Sequence, residues 1–338
     1  MTSLILRDTA PLDWDARADS AYLFSGFAAA CAELGYGALY AEDTDDHALV
    51  LVRGVPVPAL GRWTRRAKVF TARRNPEFLR RVSDALAARG VVHIRVGHQQ
   101  HPWTGAWPVP WSGLTVERLW TTVIDDVHAP AAAFLAARPT VRANLGKARR
   151  AGVEVSEART ARDVEAACAV ISGTEARIRQ HGVSHLYPVA FVRAAWRHMV
   201  SRGQAVILTA RAAGRVLAAQ LYFLERERVV YYQGGSTRDR ELTPLQGPTA
   251  VTWQAVQLAR ARGCRALDFG GVNIDDPAQA GITGFKRQWG TFRAGEVGDI
   301  VLSPRAVRLQ ERYLLPLWKH VHPLYALAFG RRRNRLSA

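Results

Sequence analysis

Three strand-length apolar runs, a helix framed by proline and glycine, and one further short strand leave this chain few ways to fold. Val206–Ala210, Val216–Leu224 and Arg228–Gln233 are rich in β-branched and aromatic residues, with Ala213-Gly214 and Glu225-Arg226-Glu227 as the turns between them. Pro248 then marks a helix start, because its missing N–H is one that a first turn leaves unused, and Gly263 closes the run Thr249–Arg262. A strand at Ala266–Phe269 follows and ends in Gly270-Gly271. Strands, helix and strand in this order make an α/β (α+β) unit.

The 338 residues are too many for one average core and suit two domains. In the N-terminal part, Leu23, Phe27, Ala30, Cys31 and Leu34 give Ala21–Leu34 helical spacing, with Gly35 as its stop. Short strands are expected at Ala38–Ala41 and Ala48–Val52, a helix at Phe78–Ala88, a strand at Val91–Val96 and a proline- and tryptophan-rich loop at Pro102–Trp111. A β-branched strand at Leu119–Ile124 precedes a helical stretch over Ala131–Arg150, which Gly152 ends before a strand at Val153–Val155. Helices over Ala161–Ile171 and Val189–Val200 are linked by the polar Arg177–His185. Beyond the central unit, a strand at Asp299–Leu302 and a C-terminal helix lead to the basic tail Arg331–Arg335. These readings place a first domain at 1–140, completed by 304–338, and a second at 141–303.

A net charge of +17 predicts attraction to polyanions: tRNA or other nucleic acid, anionic lipid, or phosphorylated metabolites. The densest basic stretch is Arg62, Arg65, Arg66, Lys68, Arg73, Arg74, Arg80 and Arg81, with Trp63 and Phe70 among them. It reads either as phosphate-contacting surface with aromatic stacking or as a solvated helix face in an arginine-rich composition. Cys31, Cys168 and Cys264 are widely separated and without zinc-like spacing, which argues against a disulfide framework and against a zinc site. Met1–Arg7 is followed at once by Asp8, Asp13 and Asp15, and no 18-residue apolar run appears, which predicts a cytoplasmic protein without an integral membrane segment.

Gly281-Ile-Thr-Gly-Phe-Lys-Arg-Gln-Trp-Gly290 stands out against this background. The chain carries four lysines against 42 arginines, so a lysine set among glycines and aromatics is an exception. An ammonium is a compact, rotatable point charge that suits an oxyanion or a single phosphate oxygen. An ordinary surface lysine is the alternative.

Four pieces together resemble the Fem family of aminoacyl-tRNA-dependent transferases, built from two acetyltransferase (GNAT)-like domains. They are Arg142-Ala-Asn-Leu-Gly-Lys-Ala-Arg-Arg-Ala-Gly-Val153, Tyr231-Tyr-Gln-Gly-Gly-Ser236, Leu267-Asp-Phe-Gly-Gly271 and Gly284-Phe-Lys-Arg287, in matching order and spacing. With no heptad pattern for a helical arm, the chain is similar to the short, arm-less members. The resemblance implies transfer of an amino acid, often Ala, Gly or Ser, from a charged tRNA to an amine of a peptide or peptidyl-nucleotide acceptor, in cell-wall or peptide-antibiotic synthesis. Aminoacyl-tRNA would be a co-substrate, with no metal, no other cofactor and no obligate protein partner. It also implies that Lys286 stabilises the tetrahedral oxyanion and that Phe285 matches the aromatic before it. Tyr231, Tyr232 or Asp268 would position or relay the amine's proton. For tRNA or substrate contact the candidates are Arg142, Lys147, Arg149, Arg150, Arg179, Gln233, Arg287 and Trp289. Core roles for the tyrosines, and a turn-anchoring role for Asp268, remain the alternatives.

Two rival functions stay open on the sequence. An acyl-CoA N-acyltransferase needs a pyrophosphate-binding loop ahead of a helix, and Leu245-Gln-Gly-Pro-Thr-Ala250 is a poor one because Pro248 lacks a donor. A non-catalytic nucleic-acid binder explains the charge but not lysine, tyrosine and aspartate in a strand-helix-strand setting.

Overall fold

The computed structural model describes residues 3–54, 64–71, 73, 75–97, 103–104, 114–180, 189–272 and 274–314, without the side chains of 103–104, 178–180 and 278. In the first half, β1 (Ile5–Arg7), α1 (Trp14–Arg17) and a 3-10 turn (Ala21–Leu23) lead to α2 (Ser25–Glu33). The hairpin β2 (Gly37–Glu42) and β3 (His47–Arg53) and strand β4 (Arg65–Thr71) follow. Helix α3 (Pro76–Ala88) then crosses to β5 (Val91–Val96), and β6 (Trp103–Thr104) and β7 (Leu114–Ile124) end the half. The second half begins with α4 (Ala131–Ala136), α5 (Pro139–Arg150), β8 (Glu154–Glu157), α6 (Ala161–Gln180) and α7 (Ala190–His198). Strands β9 (Ala205–Ala212), β10 (Arg215–Leu224) and β11 (Arg228–Ser236) form its meander. Helix α8 (Gly247–Ala261) crosses to β12 (Ala266–Val272), and α9 (Ala280–Arg287), β13 (Thr291–Val301) and α10 (Pro304–Leu309) follow.

The described strands form one sheet, ordered β1-β2-β3-β4-β5-β13-β7-β12-β11-β10-β9-β8, with β6 beside β13. This order reads alike from both ends. Each half runs through antiparallel strands to a parallel pair joined by a crossover helix, β4 with β5 around α3 and β11 with β12 around α8. The antiparallel pair β7 and β13 joins the halves at the centre, with β13 also on β5 and β7 on β12. Two acetyltransferase-like units in tandem therefore share a continuous sheet.

Three of the hydrophobic clusters among the described residues position these elements. Phe78, Leu79, Val82 and Leu86 give α3 a buried stripe at helical spacing, packed with Val50, Val69 and Ile94. Val251, Ala255, Val256 and Ala259 do the same for α8 against Tyr222, Val229 and Leu267. On the opposite face Tyr22, Phe27, Phe70, Phe191, Phe223 and Tyr232 form one aromatic cluster drawn from both halves. The edge-to-face pair Tyr22 and Phe27 has ring centroids 5.3 Å apart, a favoured aromatic geometry.

Several sequence expectations change in detail. The stretch 131–150 is two helices because Pro139 starts a new one. Ala21–Leu34 begins as a 3-10 turn, and the α-helix starts at Ser25. The strand expected at Asp299–Leu302 is only the end of the eleven-residue β13. Gly281 and Gly284 lie inside α9, where a Cβ at either would meet open space. Arg62, Trp63, Arg74, most of Pro102–Trp111, the end of Arg177–His185, most of the C-terminal helix and the Arg331–Arg335 tail lie outside the described residues. Among the described residues no helix is long and apolar enough to cross a membrane.

Candidate active site

The two parallel pairs differ in one respect. β4 and β5 stay paired from Arg65 to Val69, with one register shift between Arg65 and Arg66, and Gly97 N–H continues the contact by donating to the Val69 carbonyl. β11 and β12 pair only at Arg228, Val229 and Val230 and then separate. Among the described residues, a cleft between parallel strands therefore opens only in the second half. A bulge in β11 opposite Leu221 and Tyr222, and another in β12 between Asp268 and Gly271, accompany the separation.

Lys286 fills the divide. It lies in the last turn of α9 and is 3% exposed, and its Nζ donates to the Gly270 and Gly271 carbonyls, both at 2.9 Å. Those carbonyls turn toward the ammonium because Gly270 has φ +75°, a left-handed conformation that a Cβ would penalise. Asp268 fixes the turn: its Oδ1 accepts from the Gly270 N–H at 2.8 Å and from Thr121 Oγ1 at 2.7 Å. Burial pulls the Lys286 ammonium down to about 7, and the Asp268 charge opposes that pull.

The Tyr231 ring lies with its centroid 6.0 Å from Nζ, within cation–π reach. Tyr231 packs with Phe269, which meets Phe285 edge-on at 6.0 Å and Trp289 at 6.4 Å. Burial pushes the Tyr231 phenol up, so it stays protonated at neutral pH. Tyr232 does not join this group. It points to the other face, into the cluster of Tyr22, Phe191 and Phe223. The structure thus separates two tyrosines that the sequence left equivalent.

An ionic chain of two buried carboxylates bridged by Arg228 supports the site from behind. The Arg228 guanidinium lies 3.6 Å from Asp268 Oδ2, and its Nε donates to Glu225 at 2.5 Å. Glu225, 2% exposed, accepts from the Ala21 N–H at 2.8 Å and Ser20 Oγ at 3.2 Å. Through this chain the N-terminal segment is joined to the strand that cradles the lysine. Arg228, Thr121 and Glu225 were not singled out from the sequence. Arg228 ends a turn rich in charge, and the strand alternation that sends its partner carboxylate inward was the available signal.

A pocket of about 220 Å³ adjoins the divide. Phe285 and Gln288 of the α9 segment, Asn144 of α5, Ser236–Arg238 at the end of β11, and Gln246, Gly247 and Thr249 at the start of α8 line it. Gly247 is required here, since a Cβ would lie 2.5 Å from that of Leu217. Gln246 precedes α8 in a left-handed conformation and makes no side-chain cap, whereas Asn75 caps α3 by accepting from the Glu77 and Phe78 N–H groups.

Arg142, Lys147, Arg149 and Arg150 are exposed on α5, the helix that brings Asn144 to the pocket. Arg287 is exposed on the far side of α9 with its guanidinium 5.6 Å from the Phe292 ring. Trp289 is 1% exposed, and its indole N–H has no partner among the described residues. Gln233 is 7% exposed with an unpartnered Oε1. Arg179 falls in α6, but its side chain lies outside the described set. No cluster of three or more histidine, cysteine, aspartate or glutamate side chains among the described residues is placed to hold a metal ion.

Residues 136–287 match the acetyltransferase (GNAT) domain family, a range that runs from the end of α4 to Arg287, the last residue of α9. No protein of curated function matches the chain in sequence. Among solved structures, FemX superposes with a TM-score of 0.69 at 13% identity, covering 90% of this chain and 99% of its own. A Bacteroides thetaiotaomicron protein of unknown function gives 0.59 at 8% identity, covering 88% and 100%. The C-terminal domain of a putative lysylphosphatidylglycerol synthetase from Agrobacterium fabrum gives 0.54 at 13% identity, covering 90% and 94%. The cleft strands, the lysine and all the pocket residues but Gln288 thus lie within the matched stretch, and the chain has a Fem-like fold of two GNAT-like units.

Proposed function

We propose that the chain transfers an aminoacyl group from a charged tRNA to an amine of a peptide acceptor. The observation that carries this reading is the Lys286 ammonium, held by two backbone carbonyls inside the cleft between β11 and β12. An ammonium has three N–H donors, and Gly270 and Gly271 take two. The third is available to a carbonyl oxygen entering the cleft. As the acceptor amine attacks the ester carbonyl, a C–N bond forms and charge collects on that oxygen, where a pre-placed ammonium in a water-poor site is most effective. Collapse of the intermediate breaks the C–O bond, and the tRNA 3′-terminal oxygen leaves with a proton that the amine has lost. An ester needs alignment more than activation, so no Ser-His-Asp arrangement is required.

The remaining site residues take supporting parts. Phe285 and Phe269 form an apolar wall that keeps water from the ester. Tyr231, protonated, keeps its ring beside the ammonium. Asp268 acts as the anchor of the Gly270 turn rather than as a base, since its Oδ1 accepts from the Gly270 N–H and from Thr121 of β7 while its Oδ2 faces Arg228. The exposed cations of α5 flank the pocket and suit the phosphates of an acceptor stem. FemX, the structure with the 0.69 TM-score, supports the same class of fold.

An acyl-CoA donor is the second reading. It is favoured by one observation, the α8 start facing the pocket without a side-chain cap. Pro248 counts against it by removing one N–H from that helix end. Transfer of radiolabel from a mixed pool of aminoacyl-tRNAs to peptide acceptors, with and without RNase, decides between them. The expected result is RNase-sensitive transfer that Lys286→Met abolishes, whereas label moving from acetyl-CoA instead would establish the second reading.

A further inference from the structure

The densest basic stretch of the sequence, 62–81, engages several of its cations with the protein itself. Arg65 donates to the Arg89 carbonyl at 2.8 Å, Arg81 pairs with Asp43 at 2.5 Å, and Arg66 reaches Glu311 at 3.4 Å. The segment at the end of the described chain is different. α10 and the π-helical turn after it, Gln310–Leu314, bury one side: Ala306 and Val307 pack with Val92 of β5, and Gln310 accepts from Arg66 Nε at 2.9 Å. The opposite side carries Arg305, Arg308, Leu309, Arg312 and Tyr313, all exposed and recurring at helical spacing.

Among the described residues none of these three guanidiniums meets a carboxylate. Arg312 lies over the Tyr313 ring, 5.4 Å from its centroid, and Glu311, the one acidic residue of the segment, is turned to Arg66. Single exposed hydrophobic side chains are ordinary, and Ile5, Leu12, Val116 and Ile282 are of that kind, each in a different part of the chain. Leu309, 44% exposed, and Tyr313, 56% exposed, instead lie one turn apart among cations. The sequence repeats this composition further on. From Arg312 to Ala338 it holds no Asp or Glu, and Trp318, Tyr325 and Phe329 stand among leucines before Arg331-Arg-Arg-Asn-Arg335.

We propose that this face of α10 and its following turn docks the protein on an anionic lipid bilayer surface. Arg305, Arg308 and Arg312 meet the negative headgroups, which attract cations close to the membrane, while Leu309 and the Tyr313 ring enter the interface. Arginine suits this position because its stem packs along apolar surface while its planar fork stays with the phosphates. An RNA offers phosphates too, but it gives Leu309 no apolar layer to enter. The docking face shares no residue with the Lys286 site and does not depend on the transfer reaction.

The test is co-sedimentation of the full chain with vesicles of phosphatidylglycerol and phosphatidylcholine, and with phosphatidylcholine alone, at physiological ionic strength. Binding to the anionic vesicles and not to the neutral ones is expected. Arg305→Gln, Arg308→Gln and Arg312→Gln together should weaken it about a hundredfold, since each arginine near an anionic surface strengthens binding about fivefold. Leu309→Ser with Tyr313→Ser should weaken it about tenfold through lost insertion. The +17 charge attracts anionic surfaces in general, so Arg162→Gln, Arg226→Gln and Arg262→Gln, at three exposed positions elsewhere, form the control and should change binding less than about threefold. All these positions are exposed, and far-UV circular dichroism confirms folding. The proposal is overturned by no binding to anionic vesicles, by equal binding to neutral ones, by undiminished binding of either face variant, or by an equal loss in the control. Loss of tRNA affinity in the arginine variant with vesicle binding intact would assign the face to nucleic acid and equally overturn it.

Discussion

Lys286 and Asp268 are tied to the same residue from opposite ends: Gly270 gives its carbonyl to the lysine at 2.9 Å and its N–H to the aspartate at 2.8 Å. The position of the ammonium is therefore set by a backbone turn that a carboxylate holds, and disturbing any of the three disturbs the other two.

Removing the charge while keeping the bulk tests the lysine directly. Lys286→Met is expected to cut transfer about 10²- to 10³-fold, the usual loss for one donor to a developing oxyanion, with little change in circular dichroism. Lys286→Arg is expected to fail as well, because a planar fork cannot occupy a buried cradle shaped for a point charge. Single-turnover transfer rates for the three proteins check both statements.

The same lysine predicts a pH dependence of stability. Its folded-state value is lowered to about 7 from the ordinary 10.5, so above pH 7 the unfolded chain binds the extra proton. Stability conferred at this site is therefore lowest below pH 7 and rises as pH increases toward 10.5. Urea unfolding across pH 6 to 10 should show that rise in the wild type relative to Lys286→Met. Parallel curves for the two proteins would refute it.

Arg228→Met leaves Glu225 and Asp268 buried beside each other without their shared cation. A fully buried pair broken in this way costs about 3–5 kcal/mol. Because the Arg228 side chain keeps 44% exposure, solvent screening lowers the expected loss to about 2 kcal/mol. Denaturant midpoints measure it, and Arg228→Lys should recover part of it.

A methyl group at Gly290 would sit 2.3 Å from the Val123 carbonyl oxygen, where β13 enters against β7. Backbone cannot yield as a flexible side chain can. Gly290→Ala is therefore expected to destabilise by about 1–3 kcal/mol, read as a lowered melting temperature.

If α5 faces the tRNA, changing Arg142, Lys147, Arg149 and Arg150 together to glutamine should flatten the salt dependence of tRNA binding. Four lost phosphate contacts correspond to a slope change of about 3 in log K against log salt. An unchanged slope places the tRNA elsewhere.

The sequence by itself determined the elements whose cause is local. Pro248 and Gly263 frame α8, Gly152 with φ +64° ends the helix before β8, and the meander β9 to β11 is present as spaced. Tertiary structure decided the rest. That Lys286 turns inward to two carbonyls and that Tyr231 joins it while Tyr232 goes to the opposite face both depend on strand register and bulges. Register is an agreement between segments as distant as Thr121, Asp268 and Lys286. Local propensity is written residue by residue, but which residues end up facing one another is fixed only when non-local pairs form together.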